Sequence, residues 1–186
     1  MNDTIKTIKN RRSIRQYKAE QISDAEIQAI MEAAIHAPSA MNQQKWHFTV
    51  IQNRETLTKM EDIARENMLK SDIEFIADRA RENPDFRIFY SAPTVILVTA
   101  EENAHFMEFD CGAAAENIAV AAEALNIGSC MIGFGAFVFG SEKEDEIKKE
   151  LGIPEGYRFI ISIALGYKDI DPPVPPKNKD VINYVK

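Results

Sequence analysis

Apolar residues at Ile27, Ile30, Met31, Ala34 and Ile35 follow helical spacing and predict one helix with a single buried stripe. Ser23 followed by Glu26 supplies a capping box at its start, and Ile22 with Ile27 the hydrophobic staple around it. Pro38 stops it. Trp46 to Ile51 (WHFTVI) reads as a strand whose aromatic start obscures the alternation. Glu55 to about Arg81 is charged and helical, in two pieces with the break near Ser71. Pro93 opens a near-continuous apolar run, Thr94 to Ala100, which fits a strand buried on both faces. From about Phe106 to Asn126 runs the longest helix, with Ala113, Ala114, Ala115, Ala119, Ala121, Ala122 and Ala124. So many small residues let another helix approach closely, and apolar positions on more than one face predict a central buried helix. Ser129 to Phe134 is a short strand. Ser141 with Glu144 is a second capping box, opening a helix that ends at Leu151 with Gly152 as its C-cap. Tyr157 to Leu165 is the last strand.

The order is α-α-β-α-α-β-α-β-α-β, an α+β domain around a small mixed, mainly antiparallel sheet flanked by helices. Residues 1–168 form this domain. From Asp169 the chain changes character: DPPVPP favours extended polyproline geometry, so residues 169–186 read as an arm.

Charge narrows the function classes. The net charge of −7 argues against general nucleic-acid or anionic-membrane binding. No apolar run approaches the roughly 20 residues of a membrane span. The opening MNDTIKTIKN lacks the apolar stretch of a secretory signal, and a cytoplasmic protein is expected. Cys111 and Cys130 fit two reduced thiols, and with His36, His47 and His105 they show no metal-ligand spacing. Yet the charge is uneven. Between Thr4 and Ala19 there is no acid, while Lys6, Lys9, Arg11, Arg12, Arg15 and Lys18 all fall there. Such a block reads either as a site for a localised anion, such as a small-ligand phosphate, or as a solvated helix end. A transit peptide would also be Ser-rich, and here Ser13 stands alone.

The familiar nucleotide signatures are missing. Gly133-Phe134-Gly135 begins like a dinucleotide fingerprint, but the next glycine is Gly140 and Phe137-Val138-Phe139 is not expected to open a helix. Neither a P-loop nor a GxSxG elbow occurs. Four segments remain. Arg11-Arg12-Ser13-Ile14-Arg15 closes the first helix and offers planar guanidinium forks that suit phosphate oxygens and carbonyls. Pro38-Ser39-Ala40-Met41-Asn42-Gln43-Gln44 is a turn whose amides can both donate and accept, as a pyrimidine-like edge requires, or an ordinary Asx-type loop. In Gly128-Ser129-Cys130-Met131-Ile132-Gly133 a glycine after a strand exposes backbone N–H groups to a ligand, or marks a bend. Lys177-Asn178-Lys179 brings two more cations to the same anion, or belongs to a solvated tail.

Taken in this order, RRSIR, PSAMNQQKWHF, the Ala-rich helix ending in LNIGSCMIGFG, then LGYKD and a Pro-rich basic tail closely resemble the FMN-dependent nitroreductase family. The resemblance covers nearly the whole chain, and its first two segments are the most specific. It implies a homodimer with FMN at the interface, NAD(P)H as co-substrate and an electron-poor small-molecule acceptor. Arg11, Arg12, Ser13 and Arg15 would bind the phosphate, the ribityl chain and the pyrimidine edge of the flavin. Lys177 and Lys179 would complete the phosphate site. Pro38, Ser39, Ala40 and Asn42 match the loop that reaches the flavin from the second subunit. Ile132 and Gly133 match the segment whose backbone lies near flavin N5, and the arm is expected to wrap the partner.

The chemistry belongs to the flavin, so no catalytic acid or base is assigned. Hydride passage through one shared site implies ping-pong kinetics. Two alternatives stay open: a same-fold enzyme of different chemistry (reductive dehalogenation, flavin fragmentation), or a non-enzymatic flavin-binding or redox-sensing protein. Many relatives have Pro at Lys45 and Ser at Ala40, and the segment after Ile132 lacks a Glu that some carry. Glu61 to Tyr90 matches no family pattern and is expected to cover the site and set acceptor choice.

Overall fold

The computed structural model describes residues 2–186. Helix α1 spans Asp3–Asn10, and the Asn2 side chain accepts from the Ile5 N–H. Helix α2 spans Asp24–Ile35, and its capping box forms as expected: Ser23 Oγ accepts from the Glu26 N–H and Glu26 Oε2 from the Ser23 N–H. Ile30 and Ala34 are buried beneath it, but Ile35, expected on the buried stripe, is 47% exposed. It occupies the last turn, where the chain provides no neighbour to cover it. Strand β1 is Trp46–Ile51, and helices α3 (Arg54–Leu69) and α4 (Glu74–Glu82) break between Lys70 and Ile73, around Ser71. Then follow β2 (Thr94–Glu101), α5 (Met107–Ala124), β3 (Ile127–Ile132), α6 (Ala136–Phe139), α7 (Glu144–Glu150) and β4 (Tyr157–Tyr167).

Two local expectations fail. Phe137, Val138 and Phe139 do form helix, the single turn α6. That turn also undoes the second capping box. Ser141 Oγ donates to the Val138 carbonyl at 2.7 Å and accepts from the Lys143 N–H, so Lys143 precedes α7 without a side-chain cap. At the other end the C-terminal glycine holds: Gly152 has φ +67°, and the Ile153 N–H reaches back to the Lys148 carbonyl.

The four strands lie in the order β1-β2-β4-β3, every neighbouring pair antiparallel. The one parallel pairing among the described residues is a single bridge between Ser13 and Ser129. Strand alternation sorts the core into two layers. Val95 and Leu97 of β2 turn toward a cluster with Leu57, Met60, Met68 and Phe139; Ile96 and Val98 turn toward one with Ile30, Ala115, Ile118 and Ala122. Helices therefore cover both faces, and α5 is the central helix of the second layer. Asn117 Nδ2 donates to the Ala33 carbonyl there, fixing α5 against α2.

One packing constraint is tight enough to test. A Cβ on Gly166 of β4 would lie 2.8 Å from Pro93 Cδ and 3.0 Å from a Tyr17 ring carbon. A proline ring cannot swing aside. Gly166→Ala should destabilise the fold by about 1–3 kcal/mol, read as a lower urea midpoint at unchanged slope.

Candidate functional site

The RRSIR segment is pinned along the outer edge of β3. Arg11 caps α1, its N–H still bonded to the Thr7 carbonyl. The chain then extends, and the Ile14 N–H donates to the Ser129 carbonyl at 2.9 Å. Ile14 is 1% exposed and presses on Gly128, where an added Cβ would sit 3.0 Å from three Ile14 carbons. Gly128 thus serves close packing inside the strand. With Ile14 turned inward, alternation turns Ser13 and Arg15 outward, and both are exposed. Tyr17 locks the segment from below: its hydroxyl donates to the Ile14 carbonyl at 2.6 Å. Burial pushes the Tyr17 hydroxyl well above its ordinary range, so it stays a donor.

The cations here are incompletely satisfied. Arg11 Nε lies 3.2 Å from Glu116 Oε1, without the alignment of a hydrogen bond. Arg12 Nη1 donates to the Lys9 and Arg11 carbonyls, both at 2.7 Å. Nε of each arginine is buried with no hydrogen-bond partner. Buried donors without partners are uncommon, and an anion acceptor is the economical remedy. Beside them Arg15 lies over the Tyr90 ring, 5.8 Å from its centroid. Cys130 faces the same group; burial raises its thiol, while Arg15, Ser13 and Arg11 oppose that.

Ile132 and Gly133 end the same strand. The Ile132 carbonyl turns inward, accepting from Ser162 Oγ at 2.7 Å. The Ser129 carbonyl turns to the opposite edge, and by alternation Met131 does too. Gly133 follows the strand and is exposed, its carbonyl accepting from the Ala136 N–H at 3.0 Å and nothing lying within 4 Å of a Cβ built on it. The arginine segment and an open backbone stretch thus flank one surface.

Pro38, Ser39, Ala40 and Asn42 do not join this group within one chain. Their loop is anchored to the start of α5, where both Asp110 carboxylate oxygens accept from the Ala40 N–H at 3.1 Å. Glu116, the Arg11 partner, lies six residues further, about 9 Å along the helix axis. The loop is nevertheless built, not loose. Met41, Asn42 and Gln44 all have positive φ, Ser39 Oγ accepts from the Gln44 N–H, and Asn42 Oδ1 accepts from Gln44 Nε2. Non-glycine residues in that region cost energy and concentrate at functional sites. An apolar cavity of about 390 Å³ opens here between Pro38, Ala40, Phe106, Phe109 and Ala113.

Lys177 and Lys179 are exposed on the arm and form no ion pair among the described residues. The arm starts beside the arginines, however. Asp171, Pro172, Pro173 and Val174 line a cavity of about 510 Å³ together with Arg12, Glu123 and Lys168.

Three residues at this surface carried no signal in the sequence. Cys130 and Tyr17 were invisible because their neighbours come from distant strands. Tyr90 lies in the segment without a pattern. Tyr90 and Ser91 both have positive φ. Glu61 braces this turn: it is 2% exposed, and its Oε1 accepts from the Phe89 N–H at 3.3 Å. Desolvation raises its carboxyl above the ordinary range.

Comparison with known proteins bears on this geometry. The model of the nitroreductase family matches residues 8–167. The chain belongs to the nitroreductase family. A crystal structure of a nitroreductase with bound FMN from Desulfitobacterium hafniense DCB-2 is 38% identical, with all of both chains covered and a TM-score of 0.94. A nitroreductase with bound FMN from Bacteroides fragilis NCTC 9343 is 31% identical, again over all of both chains, with a TM-score of 0.94. An Archaeoglobus fulgidus protein with the provisional name NADH dehydrogenase/NAD(P)H nitroreductase is 36% identical, over 90% of this chain and 86% of its own. The α+β architecture is therefore the nitroreductase fold. The family match includes RRSIR, the 38–42 loop and Gly133, and it ends before the arm.

Proposed function

We propose that this protein is an FMN-dependent NAD(P)H oxidoreductase, a homodimer that reduces an electron-poor acceptor such as a nitroaromatic or a quinone. The observation that carries the reading is the pair of buried guanidinium Nε atoms on Arg11 and Arg12 that have no hydrogen-bond acceptor, set beside Arg15 and the exposed Gly133. That surface fits a ligand with a phosphate at one end and a flat polar edge at the other. The likeness to two FMN-bound nitroreductases over their full length supports the same choice.

Bound FMN would supply the redox chemistry, hydride transfer between NAD(P)H and the acceptor, and a single shared site would make the kinetics ping-pong. The chain's own residues bind and orient it. Arg11 and Arg12 hold the phosphate, Ser13 the ribityl chain, and Arg15 offers a fixed cation to the pyrimidine edge. The Ile132–Gly133 backbone would lie beside the redox-active ring. Pro38, Ser39, Ala40 and Asn42 serve the partner's site, and residues 169–186 extend from the 2–168 domain to bring Lys177 and Lys179 to the phosphate.

Exposed apolar side chains support the dimer. Ile5 and Ile8 on α1, Ile35, Met41, Phe106 and Phe109 all stand open in the single chain. Phe106 and Phe109 stand together beside the 38–40 loop, and a continuous apolar patch on a monomer is uncommon. Net charge −7 and two free buried thiols accord with a cytoplasmic enzyme acting on small molecules.

The test is the visible spectrum of the purified protein. A flavin spectrum is expected, FMN rather than FAD should be released on denaturation, and anaerobic NADH or NADPH should bleach it. A nitroaromatic or quinone should then restore the colour. Absence of flavin after incubation with FMN would sink the reading, and bound FMN that neither nucleotide bleaches would leave a flavin-binding protein instead of an enzyme.

A further inference from the structure

The segment from Glu61 to Tyr90 places a second cation near the same surface. Arg79 stands half-buried on α4. Its guanidinium carbon lies 4.4 Å from the centroid of the Phe86 ring and 5.7 Å from that of Phe134. Asp78, its neighbour in sequence, pairs instead with Arg81 at 2.9 Å. Arg79 has no ion pair among the described residues, and its Nε is buried without a hydrogen-bond partner.

A guanidinium stacked on aromatic faces is held by the rings, while its N–H donors point outward in its own plane. Such an arginine keeps full charge and a fixed orientation, with donors unspent. The location makes this more than a packing detail. Phe134 directly follows Gly133. Phe86 packs edge-on against Phe134 at 5.8 Å and against Tyr90 at 6.2 Å, and Tyr90 faces Arg15. An aromatic wall therefore runs from Arg15 to Gly133, with the Arg79 cation set into it.

We propose that Arg79 is an anion subsite of the acceptor pocket, so that the protein prefers aromatic acceptors bearing a carboxylate or comparable anionic group. The inference rests on the FMN reading above, because Arg15 and Gly133 define the pocket only if the flavin lies between them. The aromatic wall receives the acceptor ring, and the unspent donors of Arg79 receive its anion. A charge-assisted, oriented contact of this kind discriminates strongly against a neutral analogue of the same shape.

The experiment uses the FMN-loaded protein and two probes of nearly equal shape, 4-nitrobenzoate and neutral 4-nitrobenzamide. Dissociation constants come from the perturbation of flavin absorbance in the oxidised protein without nicotinamide nucleotide, and kcat/KM is measured alongside. The unaltered protein should bind the acid at least about tenfold more tightly than the amide at low salt, and the gap should narrow as salt rises. Arg79→Gln should weaken the acid about ten- to a hundredfold and the amide less than about threefold, with FMN affinity unchanged. Arg79→Lys should recover part of the preference. Equal binding of the two probes by the unaltered protein overturns the proposal without recourse to any variant. Parallel losses for acid and amide in both variants, or a loss confined to NADPH, overturn it as well. Failure of the unaltered protein to hold FMN overturns the flavin reading itself and this inference with it.

Discussion

Arg11→Ala should weaken FMN about ten- to a hundredfold while changing riboflavin affinity by less than about threefold, because a charge-assisted bond to phosphate is worth roughly 1.5–3 kcal/mol. Riboflavin is the decisive control, since it is FMN without the phosphate. Among the described residues the Arg11 side chain pairs with the half-exposed Glu116 carboxylate, at 3.2 Å and poorly aligned. That contact contributes little to the fold, as exposed ion pairs generally do. Removal of the side chain should therefore leave the melting temperature nearly unchanged while the cofactor is lost. Arg15→Ala makes the contrast sharper. If Arg15 serves the pyrimidine edge, its loss should reduce FMN and riboflavin affinity alike. Calorimetric titration of both flavins into both variants gives four numbers, and equal losses of the two flavins in Arg11→Ala would place that residue away from the phosphate.

The contrast between the two capping boxes explains what a sequence makes legible here. Ser23–Glu26 and Ser141–Glu144 have the same spacing, yet only the first forms. Before Ser23 the chain is extended and the hydroxyl has only the new helix to serve. Before Ser141 lies the turn Ala136–Phe139, whose Val138 carbonyl takes the hydroxyl first. Local pattern cannot see such a competitor when the preceding turn is itself unexpected. The same limit governs the site. RRSIR and Gly133 draw notice in the sequence because residue type and short-range alternation bear on their chemistry and orientation. Cys130, Tyr17 and Tyr90 join them only through sheet order and an irregular turn held by buried Glu61, neither of which leaves a periodic trace. Ile5, Ile8 and Ile35 show a further limit. All three are exposed in the single chain, and whether a second chain covers an apolar residue is not encoded in helical spacing.

The arm gives the other large effect. Deletion of residues Pro172 to Lys186 should impair flavin affinity and dimer stability together. Flavin affinity falls because Lys177 and Lys179 are removed from beside a group carrying close to two negative charges. Dimer stability falls because Val174, Val181, Ile182 and Tyr184 are exposed in the single chain and, on this reading, cover the partner. The double substitution Lys177→Ala/Lys179→Ala separates the two roles. It keeps the apolar and proline contacts, so FMN affinity should fall by at least about tenfold and its salt dependence should flatten, while dimer dissociation stays as in the full chain. The deleted chain should instead sediment partly near its single-chain mass, which is 21.0 kDa before truncation. The deletion also removes Pro172 and Pro173, which line a cavity with Arg12, so it should cost FMN affinity more than the double substitution does. If the truncated protein holds FMN and dimerises like the intact chain, residues 172–186 are a solvated end, and the phosphate is held by Arg11 and Arg12 alone.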